Sequence, residues 1–219
     1  MKVSHIDNTK FCGIPISTVK VKNNNSVYKL YDIKTEADLD FLKKMPNILD
    51  FRKLMPGLRE IDYIIWERLF GSAVESAKNT TNSVYIETCD NVPCGLMNYF
   101  HRNNIYHINY VVTFPDKPGH RVPCGGQILF NELYKRFLSS NANKVELQAL
   151  KDSPFDPISK YLKMGFKMLG GDNYSEAMRI NRVNAVETFR KQNEYIFSEP
   201  LKNQKDVDLE KTLNFNSIA

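Results

Sequence analysis

The chain has 219 residues, 42% of them hydrophobic and 25% charged, with 30 basic against 25 acidic side chains for a net charge of +5. This length buries a sizeable core, most economically in one domain with appendages, and the composition excludes fibrous, disulfide-dense and disordered classes. No stretch approaches the roughly 18 uninterrupted apolar residues of a membrane helix, and Met1–Asp7 carries no secretory apolar region, so a cytoplasmic protein with no membrane partner is expected.

The first 26 residues are punctuated by Asn and Lys and hold one β-like run, Ile16–Val21. Val27–Ile33 alternates as a strand. Thr35 reads as a helix N-cap, with Asp38 three residues on and Leu39, Leu42 and Met45 at helical spacing; Pro46 is expected to stop that helix. A short segment at Phe51–Met55 ends at Pro56-Gly57. The longest helix is predicted from Leu58 to Lys78, with Ile61, Ile65, Leu69 and Ala73 on one stripe. Three strands follow as a meander, Ser83–Cys89, Gly95–His101 and Ile105–Phe114, joined by turns at Asp90–Pro93 and Arg102–Asn104.

Pro115–Pro123 is a loop by its prolines and glycine. A helix is predicted over Gly125–Ser139, where Leu129, Leu133 and Phe137 repeat at i+4. Lys144–Leu150 alternates as a strand. Asp156-Pro157 supplies an N-cap and a first-turn proline, and Gly165 is placed to end that helix in left-handed geometry. Phe166–Leu169 and Glu176–Asn181 form a closing strand pair, and a helix runs from Arg182 to Ile196 before a weakly structured tail. The order predicts an α+β fold: a mixed, mostly antiparallel, seven-stranded sheet flanked by helices. The main domain is expected over residues 27–181, with an N-terminal extension at 1–26 and a C-terminal helix and tail at 182–219.

The four cysteines (Cys12, Cys89, Cys94, Cys124) follow no disulfide spacing, which suits reduced thiols. Cys89 and Cys94 resemble half a metal site, but no second pair or close His-x-x-x-His follows, so no metal is expected. The positive charge is dispersed, without the basic-aromatic stripe of a nucleic-acid binder.

Two patterns between Ile105 and Leu169 resemble the GNAT superfamily of acyl-CoA N-acetyltransferases. One is Val111-Val112-Thr113-Phe114-Pro115 followed by Arg121-Val122-Pro123-Cys124-Gly125-Gly126; the other is Tyr161-Leu162-Lys163-Met164-Gly165-Phe166. Arg121 and Gly126 keep the spacing of the family's cofactor motif, while Cys124 stands where its middle glycine would be. The resemblance implies a GNAT-type fold with acetyl-CoA as acyl donor and an amine, small molecule or peptide, as acceptor. It also implies a pyrophosphate cradle at Val122, Cys124, Gly125, Gly126 and Gln127, with Arg121 and Lys117 adding charge. Val111, Val112 and Thr113 would flank the pantetheine arm, and Tyr161 would be the proton donor to the departing thiolate.

For the base, His107 is the first candidate, sharing a strand face with Asn109 opposite Ile108 and Tyr110; Glu87, Glu146 and a water chain are the others. Phe51, Met55, Leu58, Tyr63 and Trp66, among Arg52, Arg59, Glu60 and Asp62, are expected on the acceptor side, some as core and the rest around an acid-rimmed cleft. Each assignment has a plain counterpart: a proline-glycine connection, an apolar core strand, a packed tyrosine. A non-catalytic GNAT-like protein binding CoA or a partner is the alternative function, and an oligomer is left open.

Overall fold

A computed structural model describes residues 13–22, 26–48, 50–79, 82–88, 91–115 and 125–200. Its elements are β1 (Ile14–Val21), β2 (Ser26–Asp32), α1 (Glu36–Ile48), α2 (Phe51–Leu54), α3 (Glu60–Asn79), β3 (Asn82–Thr88), β4 (Pro93–Arg102) and β5 (Ile105–Thr113). They continue as α4 (Gly125–Leu138), β6 (Lys144–Leu150), α5 (Pro157–Lys163), β7 (Lys167–Gly171), β8 (Ser175–Asn181), α6 (Arg182–Gln192) and β9 (Ile196–Pro200). The strands join in one sheet in the order β7-β8-β6-β5-β4-β3-β2-β1-β9. Only β5 and β6 are parallel neighbours.

The sheet is mixed and mostly antiparallel, as the element order predicts, but it has nine strands rather than seven. The extra two lie outside residues 27–181: β1 pairs with β2, and β9 pairs with the outer edge of β1. The last helix therefore ends at Gln192 instead of Ile196. In β9 only Ile196 is buried, so no apolar alternation announces it; the open edge of β1 supplies its backbone partners.

Local signals place most of the other boundaries. Thr35 Oγ1 accepts from the Asp38 N–H while Asp38 Oδ2 accepts from the Thr35 N–H, a reciprocal cap. Pro46 does not stop α1, which runs on to Ile48; so late in the helix, a proline removes a single N–H bond near an end that is already short of partners. Asn103 and Asn104 both adopt positive φ, the geometry of a two-residue hairpin turn between β4 and β5. Asp156 accepts from the Ser159 N–H ahead of Pro157, and Gly165 ends α5 at φ +85°.

Both faces of the sheet are covered. On one, α4 and α6 bury a core that includes Met97, Tyr99, Leu129, Leu133, Val145 and Met178. On the other, α1, α2 and α3 bury Leu42, Phe51, Trp66, Phe70, Leu96 and Phe114. Among the described residues, no helix is long and apolar enough to cross a membrane.

Arg136 ties α4 to the sheet through ion pairs to Glu132 at 2.6 Å and Asp32 at 2.9 Å, and it donates to Tyr99 Oη at 3.0 Å. Burial pushes the Tyr99 hydroxyl up to about 12 against the pull of Arg136, which keeps it a neutral partner. Replacing Arg136 with Met strands two largely buried carboxylates and is expected to cost about 3 kcal/mol. The check is a lowered urea midpoint with an unchanged m-value.

Candidate active site

The parallel pair β5–β6 holds for three rungs: Ile105↔Lys144, Tyr106↔Val145 and His107↔Glu146. Just beyond, Tyr99 of β4 faces Ile108 while Asn98 faces Tyr110, so Asn109 is an extra residue bulged out of β5. A bulge bends its strand and increases its twist. From here β5 continues along β4, β6 continues along β8, and the two part. Among the described residues, the β6-facing backbone groups of Ile108–Thr113 have no ladder partner. Val111, Val112 and Thr113 all lie on this free stretch.

The bulge also overturns the predicted alternation. His107 and Asn109 were expected on one face opposite Ile108 and Tyr110, but Tyr110 packs with the α3-side core while Ile108 stays in the α4-side core. An inserted residue shifts the period-2 pattern by one from that point on.

Helix α4 packs against β4 and β5 on one face of the sheet here. A Cβ on Gly95 would meet both the Val112 carbonyl oxygen at 2.9 Å and the Leu129 side chain at 3.3 Å. Strand β4 and helix α4 thus close on each other here, as only glycine allows. Gly125 is buried, whereas a Cβ on Gly126 would meet nothing within 4 Å. Among the described residues, this helix start has a glycine whose Cβ position is open, which is what the expected cradle requires. Gly125, Gly126 and Gln127 are the described part of the expected cradle; Arg121, Val122 and Cys124, like Lys117 and Cys89, lie outside the described residues.

On the α4 side stands Tyr161, half-buried, its ring 5.6 Å from Phe130 and 5.8 Å from Phe166. Burial pushes its hydroxyl up to about 12, so it holds its proton at neutral pH. Of the helix face expected to pack, Ile158 joins Tyr161 against the core while Leu162 is exposed. One neighbour was missed from the sequence: Tyr134 of α4, fully buried, whose hydroxyl has no hydrogen-bond partner among the described residues. Its only sequence signal is the spacing Gly126, Phe130, Tyr134 along one side of α4.

On the opposite, α3 side lies His107, at the last rung before the strands part. Its ring stacks on Phe100 at 4.8 Å and its Nδ1 is 3.8 Å from Glu146 Oε2. Glu146 in turn takes Arg179 Nε at 2.8 Å and Nη2 at 2.7 Å. Burial works to raise the Glu146 carboxyl, but Arg179, with Lys144 and His107, outweighs it and holds the group below its ordinary value. Glu146 is therefore an anion facing the imidazole. Glu87 is not brought here: it is buried two strands away, accepting from the Tyr31 hydroxyl at 3.1 Å and the Tyr85 hydroxyl at 3.4 Å.

The acceptor-side residues expected at the start of α3 are structural instead. Phe51 and Trp66 pack with Phe70 and Phe114, and the Tyr63 hydroxyl donates to the Met55 carbonyl. Arg52 pairs with Glu60 and Arg59 with Asp62, so the charges close on each other rather than rim a cleft. The groove on this face lies at the other end of α3. It measures about 480 Å³ and is lined by Ser72, Glu75, Ser76, Asn79, Asn109 and Tyr110. Asn109, at the bulge, donates to Ser76 and sits two residues along β5 from His107.

No family model matches the sequence, and no curated protein does. Among solved structures the chain is similar to FdhC in its apo form, a nucleotide-linked sugar GNAT, at 14% identity over 84% of this chain and 98% of that one, TM-score 0.54. It is also similar to an uncharacterized protein of Bacillus halodurans, at 11% identity over 83% and 97% of the two chains, TM-score 0.54. At these identities the likeness is one of fold, and the fold is the GNAT fold.

Because the folded Glu146 value lies below the ordinary 4.5, its ion pairs stabilise the protein fully above that pH and are lost as pH falls through the lowered value. The stability gap between wild type and Glu146→Gln, about 1 kcal/mol at pH 7, is therefore expected to close below pH 4.5. Urea melts across that range measure it.

Proposed function

We propose that this GNAT-fold chain is an acetyl-CoA-dependent N-acetyltransferase in which an amine attacks the donor directly. The observation that carries the reading is the parting of β5 and β6, with an open glycine helix start on one face and a histidine–carboxylate pair at its apex on the other. A slit through a sheet lets donor and acceptor approach from opposite faces and meet at one point.

Gly125–Gln127 would hold the pyrophosphate on backbone N–H groups, with Arg121 adding charge. Bound along β5, acetyl-CoA supplies the acetyl group as a thioester. The unpaired backbone N–H groups at Val111–Thr113 face the slit and would stabilise negative charge developing on the carbonyl oxygen. Tyr161, kept protonated by burial, gives a proton to the leaving sulfur. His107 takes the proton from the attacking amine, with the Glu146 anion stabilising the imidazolium that forms. The acceptor would lie in the groove of Ser72, Glu75, Ser76 and Asn109, whose polar lining suits a small hydrophilic amine.

Incubation with acetyl-CoA and a panel of amines and peptides is expected to release CoA thiol above background hydrolysis. If CoA binds and no amine releases thiol, a non-catalytic CoA-binding role replaces this reading; if CoA does not bind, the cradle assignment fails as well. A Cβ at Gly126 meets no described atom within 4 Å, so in Gly126→Leu the fold should survive while calorimetry shows loss of CoA binding. Tyr161→Phe should lower turnover at least tenfold, on the order of general-acid effects, with CoA affinity changed much less. Wild-type turnover in that variant, with chemistry rate-limiting, removes Tyr161 from the mechanism.

A further inference from the structure

Strand register extends the His107–Glu146 pair into a longer row of side chains. Residues paired across a sheet share a face. His107 of β5 pairs with Phe100 of β4 and with Glu146 of β6; Glu146 pairs with Arg179 of β8, and Arg179 with Lys167 of the edge strand β7. The next row on this face is Arg102, Ile105, Lys144 and Asn181. At the usual spacing of neighbouring strands, the backbone of Lys167 lies about 14 Å from that of His107. This half of the face is open. The α3-side core draws on β2, β3, β4 and β5 and takes no residue from β6, β7 or β8, while α5 and α6 pack into the core on the opposite side. Arg102 and Lys167 are exposed and form no ion pair among the described residues. Arg179 and Lys144 share the carboxylate of Glu146, at 2.7 and 3.6 Å. Four cations thus stand with one carboxylate beside His107. Scattered along the chain, they show as a patch only once the strands pair.

We propose that this face is the docking surface for an acidic polypeptide, whose amine reaches His107 and is acetylated there. This rests on the N-acetyltransferase reading and names its acceptor: the groove at Asn109 takes the amine-bearing residue, and the basic rows take the acidic residues next to it. The charge selects an anionic partner. The openness selects a long one, because an unenclosed sheet face leaves a small ligand mostly in water, whereas a chain of repeated charges meets several cations at once. Two features favour a polypeptide over nucleic acid. Glu146 stands within the row, where it repels a continuous phosphate backbone but suits an ammonium group. The exocyclic amines of nucleobases have lone pairs delocalised into the ring and attack a thioester poorly, whereas a deprotonated peptide amine attacks well. In the step, the peptide nitrogen bonds to the acetyl carbon and the carbon–sulfur bond breaks with its electron pair on sulfur. The nitrogen gives one proton to His107 and the sulfur takes one from Tyr161. Solvent returns both residues to their starting states, so the products are an acetamide and a thiol.

Two short peptides with the same first residue test the face, one continuing in Asp and Glu and the other in Asn and Gln. With acetyl-CoA, thiol release should give a kcat/KM about tenfold higher for the acidic peptide at low salt, and added salt should narrow that ratio. Arg102→Glu combined with Lys167→Glu, both at exposed positions, should remove the preference. Calorimetry of the same peptides without acetyl-CoA should show the acidic one binding more tightly to wild type and not to the double variant. Three results overturn the proposal: equal kcat/KM and affinity for the two peptides, a preference that survives the charge reversals, or tighter binding of a single-stranded oligonucleotide than of the acidic peptide. If no peptide or amine releases thiol while calorimetry still shows the charge-dependent preference, the N-acetyltransferase reading fails and the docking face stands. Equal peptide affinities with thiol release from other amines remove the face and leave that reading intact.

Discussion

One extra residue in β5 organises this molecule. A parallel pair is stable only while its ladder continues, and the bulge at Asn109 ends the β5–β6 ladder after three rungs. Each strand keeps its outer partner, β4 for β5 and β8 for β6, so the sheet opens without coming apart. The opening exposes backbone hydrogen-bonding groups in the middle of a sheet, where a folded protein normally pairs them. Beside it, Gly95 lets β4 and α4 approach closely.

The two faces of the opening have different electrostatic characters. On the α4 side the titratable groups are tyrosines whose burial keeps them protonated. On the α3 side Glu146 is held ionised by Arg179 beside His107. Environments that push groups toward opposite protonation states separate proton donor from proton acceptor, and in the proposed reaction the sheet would be the partition.

Packing on the α3 side closes one half of that face. Phe51, Trp66, Phe70 and Phe114 form one aromatic cluster that fixes the first half of α3 to the end of β5. Burial of rings of this size outweighs the exposed pairs nearby, such as Arg52–Glu60, whose contribution is small. With that half sealed, a shallow groove remains among the described residues along Ser72 to Asn79, next to the bulge.

The sequence by itself determined the elements and their order, because those depend on local chemistry. Thr35 with Asp38, Asn103-Asn104, Asp156-Pro157 and Gly165 each satisfy backbone groups within a few residues, and the structure keeps every one. The GNAT fold was legible for the same reason, from short patterns at Arg121–Gly126 and Tyr161–Phe166. Tertiary structure alone decided the rest. Strand β9 exists because β1 leaves an edge open, and its own residues carry no alternation. A bulge depends on the partner strand, so the face reversal at Tyr110 could not be read from β5. The pairing of His107 with Glu146 and the separation of Glu87 from the site depend on residues far apart in the chain. Periodicity says which side of an element a residue occupies; only the packed sheet says what stands opposite it.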